Sequence, residues 1–402
     1  MKNINNLKYH YFLSELEKFK KAENYRILSN IQDKNSKFVT FNKTKNLLNL
    51  SSNDYLGIAT DKILAEEFLS SLINEKIIEK FGLSSSSSRL LTGNYPLYDE
   101  LENEIINLYG NKEKSCLVFN SGYHANIGVI SALFKKGDVI FSDKYNHASI
   151  IDGIKLSGAD FFRYSHLNYE QLESFLEKNR KKYNKALIIS ESIFSMDGDK
   201  ADFQKLVQLK NNYDAVLMVD EAHAIGVFGE KGYGISEQTN LINEIDIIIG
   251  TFGKAIASIG AFILVDPILK DYIINKSRSF IFTTALPPVN IFWTLKVIKL
   301  LPKLQKQREH LAKISELLRS SLRNFGLDTL GESQIVPVII GNNNDTIKIA
   351  KKLQNKGYLM LPVRPPTVPE GTSRIRISLT ALLQWDDIKN IPEIIADNKL
   401  IN

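Results

Sequence analysis

The chain has 402 residues, a formal charge of +6, and 44% hydrophobic, 24% charged and 10% aromatic content. That balance is ordinary for a globular protein and excludes the disordered, collagen-like and coiled-coil classes. A single cysteine, Cys116, excludes an internal disulfide and a cysteine-based zinc cluster, while scattered lysines without a basic block give no sign of a nucleic-acid partner.

The opening MKNINNLKYHYFLSELEKFKK is polar and has no continuous apolar core, so no signal peptide is expected and a cytoplasmic location follows. Leu13, Leu16 and Phe19 lie on one face of an amphipathic helix. Residues 1–45 are expected to form an N-terminal helical segment packed on the C-terminal domain or a partner subunit. Ser84 to Ser88 is the one low-complexity patch and reads as a loop.

Over residues 46–286 short apolar runs alternate with helical patterns. CLVF (Cys116 to Phe119), DVIF (Asp138 to Phe141), DFFRY (Asp160 to Tyr164), ALIIS (Ala186 to Ser190), AVLMV (Ala215 to Val219) and DIIIG (Asp246 to Gly250) read as strands. Segments between them, such as HANIGVISALF and HASIIDGIKLSG, carry apolar residues at helical spacing. The stretch from Ile245 to Val265 contains Asp246 and Lys254, which are costly at mid-bilayer. It reads as two short strands around a functional loop, not as a membrane span. Such alternation predicts a large α/β domain: a mainly parallel seven-stranded sheet flanked by helices. After Pro287-Pro288 the pattern changes to two long helical stretches, Val289 to Leu301 and Gln305 to Asn324. A strand (Gln334 to Ile340), a helix (Asp345 to Lys356) and a last strand (Arg374 to Leu379) follow. Residues 287–402 are therefore expected as a small C-terminal α+β domain.

In parallel sheets ligands bind at the carboxyl ends of the strands, and four such ends carry chemistry here. Asp220-Glu221-Ala222-His223 follows AVLMV, and Thr251-Phe252-Gly253-Lys254 follows DIIIG. Asn120-Ser121-Gly122-Tyr123 follows CLVF and opens a helix, and DVIF runs into Asp143 and His147. A buried Asp requires a cation. A desolvated Lys is a candidate Schiff-base nucleophile. A glycine turn into a helix offers amides to a phosphate. Pyridoxal 5'-phosphate (PLP) requires all of these together: Lys254 for its aldehyde, Asp220 for its pyridinium nitrogen, the helix start for its phosphate and a His for its ring face.

Three lookalikes fail. VDEAH matches a helicase box, but the only Gly-Lys pair, Gly253-Lys254, lies downstream and is followed by Ala255. The glycines from Gly226 to Gly234 do not follow a strand in G-x-G-x-x-G form. The six histidines show no H-E-x-x-H spacing, so no metal site is expected.

The ordered motifs LNLSSNDYLG, RLLTGNYPLYDELE, FNSGYHAN, DKYNHASIIDG, ESIFSMDGD, VDEAHAIGVFGEKGYG, TFGKA, FTTALPP and RPPTVPEGTSRIRISLTA span about Asn46 to Ala381. Over that range the chain resembles the α-oxoamine synthase family of fold-type-I PLP enzymes. The resemblance implies that Lys254 forms the Schiff base and later moves the Cα proton. It places Asp220 at the pyridine nitrogen, His147 on the ring face, His223 and Ser195 near the phenolic oxygen, and Asn126 at the ring edge. The amides of Gly122 and Tyr123, with Thr251, would hold the phosphate. Thr283 and Thr284 would reach the phosphate of a neighbouring subunit in a homodimer with shared active sites. Arg376 would pair with the amino-acid carboxylate, as a bidentate guanidinium does. Arg364, Thr367 and Arg26 would lie near the acyl substrate, and Asn53 beside the amino-acid side chain.

Two departures stand out: Ser84 to Ser88 replaces a usual Gly-rich loop, and Tyr98 replaces a usual His. RPPTVP resembles the branch that condenses L-alanine with a pimeloyl thioester, carried on coenzyme A or acyl carrier protein, with loss of carbon dioxide. Relatives that use glycine with a short acyl-CoA, or another amino acid and acyl chain, remain the alternative. An ordinary aminotransferase or lyase would share Lys254 and Asp220 without releasing carbon dioxide and a thiol.

Overall fold

A computed structural model describes residues 7–399. Residues 1–6 and 400–402, at the outer ends of the two terminal segments, lie outside the described residues. Strands β4 (Ser115–Phe119), β5 (Val139–Asp143), β6 (Asp160–Tyr164), β7 (Ala186–Glu191), β8 (Val216–Asp220), β9 (Ile247–Thr251) and β10 (Ala261–Val265) form the central sheet. Their order is β4-β10-β9-β8-β7-β5-β6. All adjacent pairs are parallel except those made by β10, which runs antiparallel to both β4 and β9. The expected seven strands are present, and the carboxyl ends of β4 to β9 share one edge.

The inner strands are mostly apolar because both faces are covered, whereas the edge strand β6 is largely exposed. Successive residues alternate between two buried clusters: Cys116 and Val118 belong to one, Leu117 and Phe119 to the other. Helix starts carry side-chain caps. Ser121 accepts from the His124 amide before Gly122–Leu133, and Asp202 accepts from the Lys205 amide before Phe203–Asn212. The stretch from Ile245 to Val265 is two strands and a loop. No helix among the described residues is long and apolar enough to cross a membrane.

Beyond the sheet, helices Pro288–Leu300 and Gln305–Asn324 precede β11 (Ile335–Gly341), helix Asn343–Asn355, β12 (Tyr358–Leu359), β13 (Pro362–Val363) and β14 (Ser373–Ser378). An antiparallel sheet β11-β14-β13 forms the small C-terminal layer. Helix Pro288–Leu300 packs on helix Pro96–Tyr109 of the large layer.

The N-terminal segment is not purely helical, which corrects the expectation for residues 1–45. A helix spans His10–Lys21, but β1 (Ile31–Asn35), β2 (Phe38–Phe41) and β3 (Thr44–Asn49) follow, and β12 adds to β3 in parallel. Asn42 and Lys43 have φ of 45° and 72°, the two left-handed positions of a tight hairpin turn. Val39, Phe41 and Leu47 bury against Leu359, and that cluster ties the chain start to the C-terminal layer. Helix His10–Lys21 has no buried residue, and Phe19 is 50% exposed.

Candidate active site

The carboxyl ends of β4, β5, β7, β8 and β9 deliver functional groups into a cavity of about 270 Å³. Asp220 closes β8 and is only 4% exposed. Its Oδ1 accepts from the Ala222 amide (2.9 Å) and its Oδ2 from Asn126 Nδ2 (2.8 Å). Both donors are neutral, and the carboxyl group lines the cavity that also holds Lys254. Asn126 is held in turn by Ser149 Oγ at 3.0 Å, and its own Oδ1 is buried without a partner. The loop after β9 supplies Lys254 to the same cavity.

His147 caps helix Ala148–Ser157. The Ser149 amide donates to its Nδ1 at 3.2 Å, so the neutral ring carries its hydrogen on Nε2. Its own amide donates to Glu191 Oε1 at 2.6 Å. His223 Nδ1 shares a 2.7 Å hydrogen bond with the Tyr55 hydroxyl, and Gln334 Nε2 donates to the His223 carbonyl at 2.8 Å.

Burial dominates the electrostatics. It lowers the pKa of Lys254, with Asp220 and Glu191 opposing, and so favours a free amine. Burial also lifts Glu191 well above the usual carboxyl range, and neighbouring Asp220 adds to the rise. His223 is pushed well below its ordinary value by burial and then by Lys254 and Arg376. His147 is lowered by burial against the pull of Asp220. The site therefore holds two imidazoles biased toward the neutral form and an amine biased toward its free base.

A second cavity of about 670 Å³ shares His147 as a wall and is lined by Arg26, Ser195 and Thr367. Arg26 Nη2 donates to Thr367 Oγ1 at 3.2 Å. Arg376 of β14 stands between the two cavities. Its Nε donates to the Ser195 carbonyl at 2.5 Å, and both terminal nitrogens reach Asn53 Oδ1 at 3.3 Å. Asn53 lines the first cavity and Ser195 the second.

Nine of the residues singled out in the sequence line the first cavity: Asn53, Gly122, Tyr123, Asn126, His147, Asp220, His223, Thr251 and Lys254. Ser195, Arg26 and Thr367 line the second instead. Arg364 is among the lining residues of neither; its Nη1 donates to the Glu23 carbonyl. Thr283 and Thr284 also lie outside both, where Asn120 Nδ2 donates to Thr283 Oγ1 (3.2 Å) and to the Thr284 carbonyl (2.6 Å). Sequence reasoning passed over Glu191, Ser149 and Tyr55. Glu191 carried a usable signal, since it closes a buried strand as Asp220 does.

The two departures have structural answers. Ser86 takes the left-handed conformation (φ 50°) that a glycine would take without strain. Ser85 Oγ anchors the loop by donating to the Leu286 carbonyl at 2.6 Å. Tyr98 donates to the same carbonyl at 3.3 Å, under the Arg89 guanidinium. Burial lifts its pKa to about 12, so it stays a neutral phenol.

Known proteins resemble this chain over most of its length. The family described as aminotransferase class I and II matches residues 45–395. A Pasteurella multocida protein provisionally named 8-amino-7-oxononanoate synthase is 50% identical over 345 residues, 85% of this chain and 88% of its own. A Haemophilus influenzae protein with the same provisional name is 46% identical over 384 residues, 94% of this chain and 98% of its own. Among solved structures, a serine palmitoyltransferase from S. paucimobilis with a bound PLP–myriocin aldimine superposes with a TM-score of 0.88 at 26% identity, covering 98% of both chains. An 8-amino-7-oxononanoate synthase from Francisella tularensis gives 0.76 at 28% identity, covering 88% of this chain and 98% of its own.

The cofactor is PLP, and the residues present fit it. Asp220 offers a buried carboxyl group, held only by neutral donors, for a protonated ring nitrogen. A Cβ on Gly122 would stand 2.5 Å from Thr251 Cγ2, so only glycine lets the helix start close on β9 and present its amides to a phosphate.

Proposed function

The chain belongs to the aminotransferase class I and II family, in its α-oxoamine synthase branch, and from that premise we propose that this PLP-dependent acyltransferase condenses L-alanine with a pimeloyl thioester. The products are 8-amino-7-oxononanoate, carbon dioxide and the free thiol carrier, which places the reaction in biotin synthesis. The observation that carries this reading is the meeting of two cavities at His147, with Arg376 between them. One cavity suits a cofactor with a small amino acid, and the other suits an extended acyl donor. The provisional names of relatives at 46% and 50% identity support the choice of substrates.

PLP, when bound, supplies an aldehyde that captures an amino group and a ring that draws electron density from the adjacent carbon. Lys254, its pKa lowered by burial, holds the cofactor and then takes and returns the α-proton. Asp220 would hold the ring nitrogen in its protonated form, and His147 would stack on the ring face. Asn126 steadies Asp220, and His223 with Ser195 serves the phenolic side. The amides of Gly122 and Tyr123, with Thr251, take the phosphate. Arg376 pairs with the carboxylate of alanine, and Asn53 borders the methyl group. Arg26, Thr367 and Arg364 serve the acyl substrate, and Thr283 and Thr284 complete the partner subunit's site in a homodimer.

The test is turnover of purified, PLP-loaded protein with pimeloyl-CoA, following thiol release and product mass. Thiol and 8-amino-7-oxononanoate with L-alanine, and neither with glycine, L-serine or acetyl-CoA, is the expected result. Faster turnover with L-serine and palmitoyl-CoA, the pair suggested by the serine palmitoyltransferase likeness, would replace this reading.

A further inference from the structure

Two cations of the second cavity have no role in the reading above. Lys144 follows directly on β5 and Arg163 lies in β6, the outermost strand of the sheet. Arg163 pairs in register with Ser142, and its Nη2 donates to the Lys144 carbonyl, which holds the two residues side by side. Both side chains line the cavity and both residues are exposed, so they stand at its outer rim. Among the described residues no carboxylate forms an ion pair with either. The one acidic residue of the lining, Asp197, is already paired with buried Arg374.

The rim is stiff. Tyr145, beside Lys144, stacks on the His166 ring with centroids 4.4 Å apart, and Phe194 meets the same ring edge-on at 4.4 Å. His166 is held between Asp143 (3.0 Å) and Asp199 (2.9 Å). From this rim the cavity runs inward to His147, where the cofactor site begins. A cavity with an unpaired cationic rim that also reaches His147 suits a ligand with an anionic group at one end and its reacting carbonyl at the other.

We propose that Lys144 and Arg163 form an anion subsite for the phosphate of the thioester donor's 4'-phosphopantetheine arm, with the arm lying along Tyr145 and its thioester at His147. The inference rests on the acyltransferase reading. Coenzyme A and acyl carrier protein both present this arm, and the pair reads the phosphate that they share. Charge attraction at an exposed rim acts on capture of the donor more than on the chemical step.

The experiment compares PLP-loaded wild type, Lys144→Ala and Arg163→Ala on three pimeloyl thioesters: of coenzyme A, of acyl carrier protein, and of N-acetylcysteamine, which has no phosphate. The expected result is a fall of about tenfold in kcat/KM for phosphorylated donors relative to the N-acetylcysteamine thioester, carried by KM and shrinking as salt is raised. A fall with only one carrier identifies that carrier as the source of the phosphate. Equal effects on all three donors, or none on the phosphorylated ones, would overturn the subsite. Lys144→Ala keeps this decisive if Arg163→Ala disturbs its loop, because Arg163 holds the Lys144 backbone and not its side chain. Wild type that turns over none of the three thioesters would sink the acyltransferase reading itself. Calorimetry with free coenzyme A then still reads the subsite, since unchanged binding in Lys144→Ala would refute it.

Discussion

Glu191 shows how one buried carboxyl can organise an active site through the backbone of a neighbouring residue. Its Oε1 accepts from the His147 amide at 2.6 Å, while its own amide donates to Asn146 Oδ1 at 3.1 Å. Burial, and then Asp220, raise its pKa well above the usual carboxyl range, which favours the neutral form beside Asp220. Glutamine keeps the accepting oxygen and alanine removes it. Glu191→Gln is therefore expected to melt close to wild type. Glu191→Ala loses about 1–3 kcal/mol from the orphaned His147 amide, measurable by denaturant unfolding. His166 is a second such residue. Burial alone would lower its pKa, but Asp143 and Asp199 outweigh that and raise it to about 9. A folded value above the ordinary 6.5 means its contribution to stability is fully present below pH 6.5 and lost as pH rises through 9. The wild-type melting temperature should fall across that window, and His166→Gln should flatten the profile.

At the scale of elements, the start of helix Gly122–Leu133 lies close against the end of β9. Gly122→Ala must push Thr251 or the helix aside, since the added Cβ meets Thr251 Cγ2 at 2.5 Å. The expected outcome is PLP binding weakened by about tenfold or more, read by titrating apoprotein with the cofactor, with the fold retained. The same elements show what the sequence made legible. Strands β4 to β9 are largely apolar runs with polar residues at or just after their ends, so their type and functional ends could be read directly, but not their order in the sheet. The β1–β3 hairpins could not: they are short, and their left-handed turn residues are Asn42 and Lys43 where a glycine would have flagged the turn. Arg376 was legible as a residue, but its place between two cavities was not. Its contacts with Asn53 and Ser195 span 323 and 181 positions, and only the folded chain brings them together. The Tyr55–His223 bond, 168 positions apart, was hidden for the same reason.

At the scale of the whole molecule, the position of Thr283 and Thr284 argues for two chains per working unit. Both lie outside the cavity that their own chain provides, on a loop fixed by Asn120. Nearby Phe282 is 71% exposed and Ile259, on the rim of the cofactor cavity, is 50% exposed. In a two-fold dimer each chain lends the same loop to the other's site. Subunit mixing tests this arrangement. Lys254→Ala lacks the reacting amine, and Thr283→Glu with Thr284→Glu sets two negative charges where a phosphate would be received. Each homodimer should be inactive. In a mixed dimer one site combines both defects, while the other pairs an intact Lys254 with intact threonines from the Lys254→Ala chain. Random reassortment of equal amounts therefore restores about a quarter of wild-type activity. If the threonines served their own chain, both sites of the mixed dimer would be damaged and no activity would return.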